Sequence, residues 1–367
     1  MTVPKPHRPE PHLPPEHPPA GPPSAGPPRA DPARPGAWRP PPPYPDGWFP
    51  VATRAEVGPG RVVTRRLLGE DVVVYRTRGG RLRAVRPFCP HLGAHLGHGG
   101  RVEGEDLVCP FHHFAFGPGG ECVRTGYGTP PPRARLTSLE CREAVGLIFV
   151  WRHARSEPPS WETTAPPRGD FGPSRHAVRT LVAHPQDFME NVVDIGHFTP
   201  VHRLAASVVA EPRFEGPRME TTYRLGRTNG KRNALFASAP PTRALVQGLS
   251  TFSTETTVPW LGMDVRAWFC VAPVDPVRIA LWLSVAVRFP RLRPRGAARA
   301  LAALTPGPLA WLSTFETDRD VPIWAHSSYL EQPRLAQGDG PITRYRRWAR
   351  QFYSGWPPGP PPARPDA

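Results

Sequence analysis

Two short stretches carry metal-binding side chains, the first at a spacing that composition alone rarely produces, the second weak alone and given weight by the first. The first is Cys89-Pro90-His91, followed after 17 intervening residues by Cys109-Pro110-Phe111-His112, so that each half offers one thiolate and one imidazole. The second runs Glu190-Asn191-Val192-Val193-Asp194-Ile195-Gly196-His197-Phe198-Thr199-Pro200-Val201-His202, an Asp-x-x-His-x-x-x-x-His pattern. Two imidazoles and a carboxylate on one side of an iron leave open positions for dioxygen and substrate. Two Cys and two His also suit zinc. Here, however, each half lies among turn formers, without the helix that carries the paired His of a zinc finger, and two facing loops suit a different metal.

The flanking sequence predicts how these residues are held. Val72–Tyr75, Leu82–Val85, Leu107–Val108 and Leu147–Trp151 are β-branched or alternating runs, separated by Gly79-Gly80, Gly99-Gly100 and Gly117-Pro118-Gly119-Gly120 turns. They predict a small antiparallel β domain around the first pair of loops. The Asp187 to Ile195 stretch is compatible with a helix, one turn of which brings Asp194 and His197 to one face, and Pro200 loosens the geometry before His202. Alternating runs between 204 and 290, among them Thr221–Leu225, Thr254–Val258, Val265–Phe269 and Ile279–Val287, predict a curved antiparallel sheet. Helices near Ala298–Leu304, Trp311–Asp320 and Arg344–Tyr353 would pack on it. Trp260, Phe269 and Trp282 are aromatic candidates for a cavity wall, although aromatics at strand spacing are more often plain core.

The chain has 367 residues, 39% of them hydrophobic, enough for two domains of ordinary size between proline-rich ends. Nineteen of the 55 prolines fall in the first 45 residues, and a stretch so poor in apolar side chains cannot offset its ordering entropy. The expected organisation is therefore a disordered tail over 1–45, domains over 46–160 and 161–355, and a second tail over 356–367. No run approaches a membrane span and no signal-peptide core is visible, so a soluble cytoplasmic protein is expected. Five cysteines at irregular spacing do not read as a disulfide framework. The net charge of +15 comes almost wholly from scattered arginines. With neither a basic stripe interleaved with aromatics nor a reading helix, nucleic-acid binding is not expected. The eight arginines between Arg61 and Arg86, against only Glu70 and Asp71, would instead attract an acidic protein partner.

The first constellation resembles a Rieske two-iron two-sulfur domain, in which one iron takes two Cys and the other two His. That resemblance assigns Cys89 and Cys109 to one iron and His91 and His112 to the other. His113 fails the Cys-x-x-His spacing, and His95 and His98 fit no ligand position. Respiratory Rieske proteins carry an extra Cys in each loop; Ala94 and Phe111 stand there in this chain, which points to the lower-potential kind found in oxygenases and their ferredoxins.

A Rieske signature followed by the Asp194–His202 motif resembles the catalytic subunit of Rieske non-haem iron oxygenases. The nearest likeness is to the ketosteroid 9-alpha-hydroxylase and cholesterol 7-desaturase branch, with its prodiginine-type oxidative cyclases. It is carried by Pro90–Leu96, Asp194–His202, Asp320-Val321-Pro322-Ile323-Trp324, Asp339–Ile342 and Arg346-Arg347-Trp348. The resemblance implies an α+β architecture, an all-β Rieske domain followed by a helix-grip, START-like catalytic domain. It also implies a mononuclear Fe(II) on His197, His202 and a C-terminal Asp, for which Asp320 fits and Asp318 and Glu316 are the neighbouring alternatives. By the same resemblance the Asp194 carboxylate would bridge a metal-bound His and a cluster His of a neighbouring subunit in a homotrimer, and Asn191 would line the iron pocket or serve as a polar cap. Such an enzyme would use O2, with electrons from NAD(P)H through a ferredoxin or reductase, to hydroxylate, desaturate or cyclise a bulky hydrophobic substrate. The alternative is a non-catalytic Rieske electron carrier with an interaction domain.

Overall fold

The computed structural model describes residues 44–163, 171–227 and 239–355. The proline-rich tails fall outside these ranges, except that Tyr44 and Pro45, placed by sequence in the first tail, lie against folded chain, Pro45 buried and the Tyr44 hydroxyl beside Gly69.

Among the described residues the N-terminal half is all β: β1 (Gly47–Thr53), β2 (Val62–Leu67), β3 (Glu70–Arg76), β4 (Leu82–Val85), β5 (Arg101–Glu103), β6 (Asp106–Val108), β7 (Ala115–Phe116), β8 (Cys122–Arg124), β9 (Ser138–Leu139), β10 (Cys141–Ala144) and β11 (Leu147–Arg152). They form three antiparallel sheets in the orders β1-β11-β10, β2-β3-β4-β9 and β5-β6-β7-β8. The period of two along β3 divides its side chains between two cores. Val72 and Val74 pack with Phe49, Val51 and Ile148, whereas Val73 and Tyr75 pack with Cys89, Leu96, Cys109 and Phe116. Burial of that second face fixes the floor under both Cys/His loops.

The second half begins with β12 (Arg175–Val182), α1 (Pro185–Glu190) and α2 (Phe198–His202), then β13 (Leu204–Glu215), β14 (Arg218–Arg227), β15 (Pro241–Gln247), β16 (Thr251–Val258), β17 (Met263–Asp275) and β18 (Arg278–Arg288). Helices α3 (Arg295–Leu304), α4 (Pro306–Thr317), α5 (Val321–His326) and α6 (Ile342–Ala349) follow. The strands make one seven-stranded antiparallel sheet, β12-β18-β17-β16-β15-β14-β13. Helices α3 and α4 lie on β18, α5 on β12, and α6 on α1. This is the expected curved sheet gripped by helices.

The expected helix over 187–195 is shorter: α1 stops at Glu190, and further backbone bonds, among them Val193 N–H (2.9 Å) and Asp194 N–H (3.0 Å) to the Glu190 carbonyl, carry the chain round as turns. Pro200 sits in the first turn of α2, where an N–H has no intrahelical partner to lose, so it starts that helix rather than loosening it. Of the eight arginines expected to form a basic face, Arg65, Arg66, Arg76, Arg81 and Arg86 pair with Glu56, Asp71, Glu143, Glu105 and Glu70, which neutralises much of that face. Among the described residues no helix is long and apolar enough to cross a membrane.

Candidate metal centres and their cavity

Each Cys/His pair sits in a loop closed by its own backbone. Between β4 and β5, the Cys89 N–H donates to the Ala94 carbonyl and the Gly93 N–H to the Cys89 carbonyl, both at 2.9 Å. Gly93 takes a left-handed conformation (φ +75°) that a side chain would strain. Between β6 and β7, the Cys109 N–H donates to the Phe114 carbonyl (2.9 Å). Both thiols are buried and unbridged. Burial, and then the neighbouring Cys109 thiol, push the Cys89 thiol up to about 11. The imidazoles of His91 and His112 lie with centroids 4.8 Å apart, and His91 stacks on Phe114 at 4.3 Å. The His112 Nδ1 is buried with no hydrogen-bond partner, a cost that a metal ligand does not bear. The four residues thus fit a two-iron cluster. His113 is exposed at φ +55°, and His95 is tied through Nδ1 to the Gly97 N–H (3.1 Å) and through Nε2 to Asp71 (3.3 Å).

The second motif converges with a residue far along the chain. Donor atoms of His197, His202 and Asp320 lie within 4.8 Å of one another. His197 Nδ1 donates to the Asp194 carbonyl (2.6 Å), and His202 Nδ1 faces Glu316 Oε2 (3.3 Å), so both rings present Nε2 inward. Asp320, 7% exposed, places Oδ1 3.2 Å from the His202 Nε2. Burial alone would depress the His202 pKa; the bonds to Asp320 and Glu316 outweigh it and raise it.

The three C-terminal carboxylates separate cleanly. Glu316 stands behind His202, Asp320 faces the two imidazoles, and Asp318 is turned away into an ion pair with Arg179. The role of Glu316 as partner of His202 was not anticipated, although Glu316 and Asp320 stand four apart, the spacing of one helix face. Asp194 meets His197 at several points. Its peptide oxygen orients His197, while its carboxylate accepts the His197 backbone N–H (3.2 Å) and lies 3.7 Å from Nδ1. Asn191 both caps α1 through its backbone and lines the cavity.

A cavity of about 330 Å³ adjoins the three donors, walled largely by apolar side chains including Phe188, Leu225, Phe252, Phe269 and Trp324. Of the three aromatic candidates only Phe269 is on this wall. Trp282 faces the other side of the sheet among Trp48, Trp151 and Trp268, and Trp260 is 66% exposed in the β16–β17 turn. The first follows from strand register and the second from the turn, neither of which composition reveals. Behind the site, the Arg346 guanidinium of α6 grips the Glu190 carboxylate of α1 with two bonds of 2.7 Å, and the Tyr345 hydroxyl donates to the Gln186 carbonyl (2.9 Å).

An all-β domain holding two Cys/His loops, joined to a helix-gripped sheet with a His/His/Asp group, defines a Rieske-type oxygenase, an oxidoreductase. The Rieske [2Fe-2S] domain matches residues 47–138, and the 3-ketosteroid 9alpha-hydroxylase C-terminal domain matches residues 150–353; the chain belongs to the family of Rieske oxygenases that join these two domains. It is 31% identical over 327 residues to the cholesterol 7-desaturase nvd of Bombyx mori, spanning 86% of this chain and 70% of that one. It is 25% identical over 323 residues to the 3-ketosteroid-9-alpha-monooxygenase oxygenase component of Rhodococcus rhodochrous, spanning 84% and 80%. Among solved structures, dicamba monooxygenase bound to dicamba (17% identity, TM-score 0.58, 84% of this chain and 97% of that one) and Pseudomonas putida CBB5 NdmA with caffeine (20%, 0.61, 83% and 89%) share the fold.

Proposed function

We propose that this chain is the oxygenase component of a monooxygenase or desaturase that oxidises an unactivated C–H bond of a sterol-like, largely apolar substrate. Cys89, His91, Cys109 and His112 would hold the cluster, and His197, His202 and Asp320 a mononuclear Fe(II). Iron bound there would supply reductive activation of dioxygen, fed by electrons from NAD(P)H through a separate ferredoxin or reductase and the cluster.

The chain's own groups do the rest. Asp194 and Glu316 hold the two imidazoles in the tautomer that leaves Nε2 free. Phe252, Phe269 and Leu225 exclude water and position the substrate by shape, so that one carbon is held against the metal donors. Asn191 adds a polar point on the wall. The exposed carboxylate edge of Asp194, and the Cys/His loops with their exposed Leu92 and Phe111, support an assembly of copies, a homotrimer, in which the loops of one copy approach Asp194 of the next. A cytoplasmic location fits this reading.

One observation carries the proposal: three metal-type donors converge on the wall of an otherwise apolar cavity. The test is turnover of cholesterol and of androst-4-ene-3,17-dione by iron-replete protein with a surrogate reductase, NADH and O2, followed by mass spectrometry. A product heavier by one oxygen or lighter by two hydrogens is expected. Absence of both products from protein whose cluster is reducible and whose mononuclear iron is present would overturn it.

A further inference from the structure

Tyr223 on β14 lines the cavity and is 4% exposed. The other hydroxyls on the wall that come from helix α4 or strand β15 are already engaged. Ser313 donates to the Leu309 carbonyl and Thr317 to the Ser313 carbonyl, both at 3.0 Å, and Thr242 meets Thr256 at 2.8 Å. The Tyr223 phenol makes no hydrogen bond with any described residue, its one specific contact being the Phe198 ring at 6.1 Å. The buried Tyr345, by contrast, donates its hydroxyl to the Gln186 carbonyl. A hydroxyl without a protein partner on the wall of an apolar cavity is placed to be satisfied by what fills it.

We infer that Tyr223 is a specificity determinant of this cavity, its hydroxyl forming a hydrogen bond with a hydroxyl or carbonyl oxygen on an otherwise apolar substrate. The inference rests on the proposed use of the cavity and narrows its occupant to a hydrophobic molecule bearing an oxygen function. Burial raises the Tyr223 pKa, so the group stays protonated and serves alcohol or ketone alike, donating to either and accepting from the alcohol. Phe198 touches Tyr223 on one side and the rings of His197 (4.3 Å) and His202 (5.8 Å) on the other. The anchored oxygen is thereby set apart from the carbon presented to the metal donors.

The experiment compares matched pairs of ligands on iron-replete, full-length protein and on Tyr223→Phe, which retains the ring and removes one oxygen. With 2-naphthol and naphthalene, calorimetry should show a 3- to 10-fold preference for the naphthol, the range expected for one net hydrogen bond. In Y223F the preference should fall to unity with naphthalene affinity unchanged. Y223F should melt at or above the native temperature, because its oxygen has no partner in the protein. Equal affinities in the native protein, failure of both ligands to bind, a preference that survives Y223F, or a lower melting temperature would each overturn the role. Cholesterol and cholest-5-ene separate this from the sterol reading. If neither sterol binds while the naphthol preference behaves as expected, the sterol reading falls and Tyr223 stands. If both sterols bind and the preference for cholesterol persists in Y223F, the reverse holds.

Discussion

Glu316 and His202 form a carboxylate–imidazole pair, Oε2 to Nδ1 at 3.3 Å, whose far side, Nε2, faces Asp320 at 3.2 Å. The pair fixes both the tautomer and the ring angle of a proposed metal ligand. Glu316→Ala should weaken Fe(II) binding by about 10- to 100-fold, measured by competition with a chelator, with cluster absorbance intact. Glu316→Gln keeps an acceptor oxygen and should lose less.

The two centres should be separable by mutation. His197→Ala or Asp320→Ala should lower iron from about three to about two atoms per chain, leave two acid-labile sulfides and abolish turnover. A full complement of iron in His197→Ala, measured by elemental analysis, would refute this ligand set.

Conversely, the buried, unpartnered Nδ1 of His112 favours it over the exposed His113 as the proposed cluster imidazole. His112→Ala should remove the Rieske signal from the reduced protein's paramagnetic resonance spectrum, whereas His113→Ala, which changes an exposed residue, should leave it within error of the native protein.

Asp187, in α1 one turn before Glu190, makes no hydrogen bond through its carboxylate to any described residue. Burial, and then Glu190, push its pKa up to about 7. A carboxyl group whose folded pKa exceeds its unfolded value binds more protons folded than unfolded, so its contribution is most favourable below about pH 4 and is lost as pH rises towards 7. Asp187→Asn should therefore raise stability at pH 8 by roughly 1–3 kcal/mol and flatten the pH dependence between 4 and 7, as read from denaturant melts.

Gly340 lies against the turn that leads into the His197 motif. A Cβ there would come within 2.1 Å of the Val193 carbonyl oxygen, and its φ of +87° disfavours any side chain. Gly340→Ala should cost about 1–3 kcal/mol and lower iron occupancy together with the melting temperature.

Much of this site was legible because metal-binding residues at short spacing must share a loop or a turn. Cys89 with His91, Cys109 with His112, and His197 with His202 needed no tertiary information to be paired. The β character of residues 72–75 and 147–151 was equally plain from branched side chains in short runs. What could not be read depended on faces and register. Choosing among Glu316, Asp318 and Asp320 required knowing which side of the α4–α5 junction meets α2. The burial of Trp282 away from the cavity, and the contact of the Asp194 peptide oxygen with His197, depend on strand phase and on where α1 ends. The unpaired hydroxyl of Tyr223 is invisible until its neighbours are known.

The grip of Arg346 on Glu190 ties the last helix to the first helix of the catalytic half, and Asp320 joins His197 and His202 from across most of that half. The Cys/His loops, by contrast, end at His112. A ribosome releases the chain from its N-terminus, so all four proposed cluster residues emerge well before the proposed iron ligand set is complete. On the proposed ligand set, a product truncated before Asp320 would keep all four cluster residues and lack one ligand of the mononuclear iron.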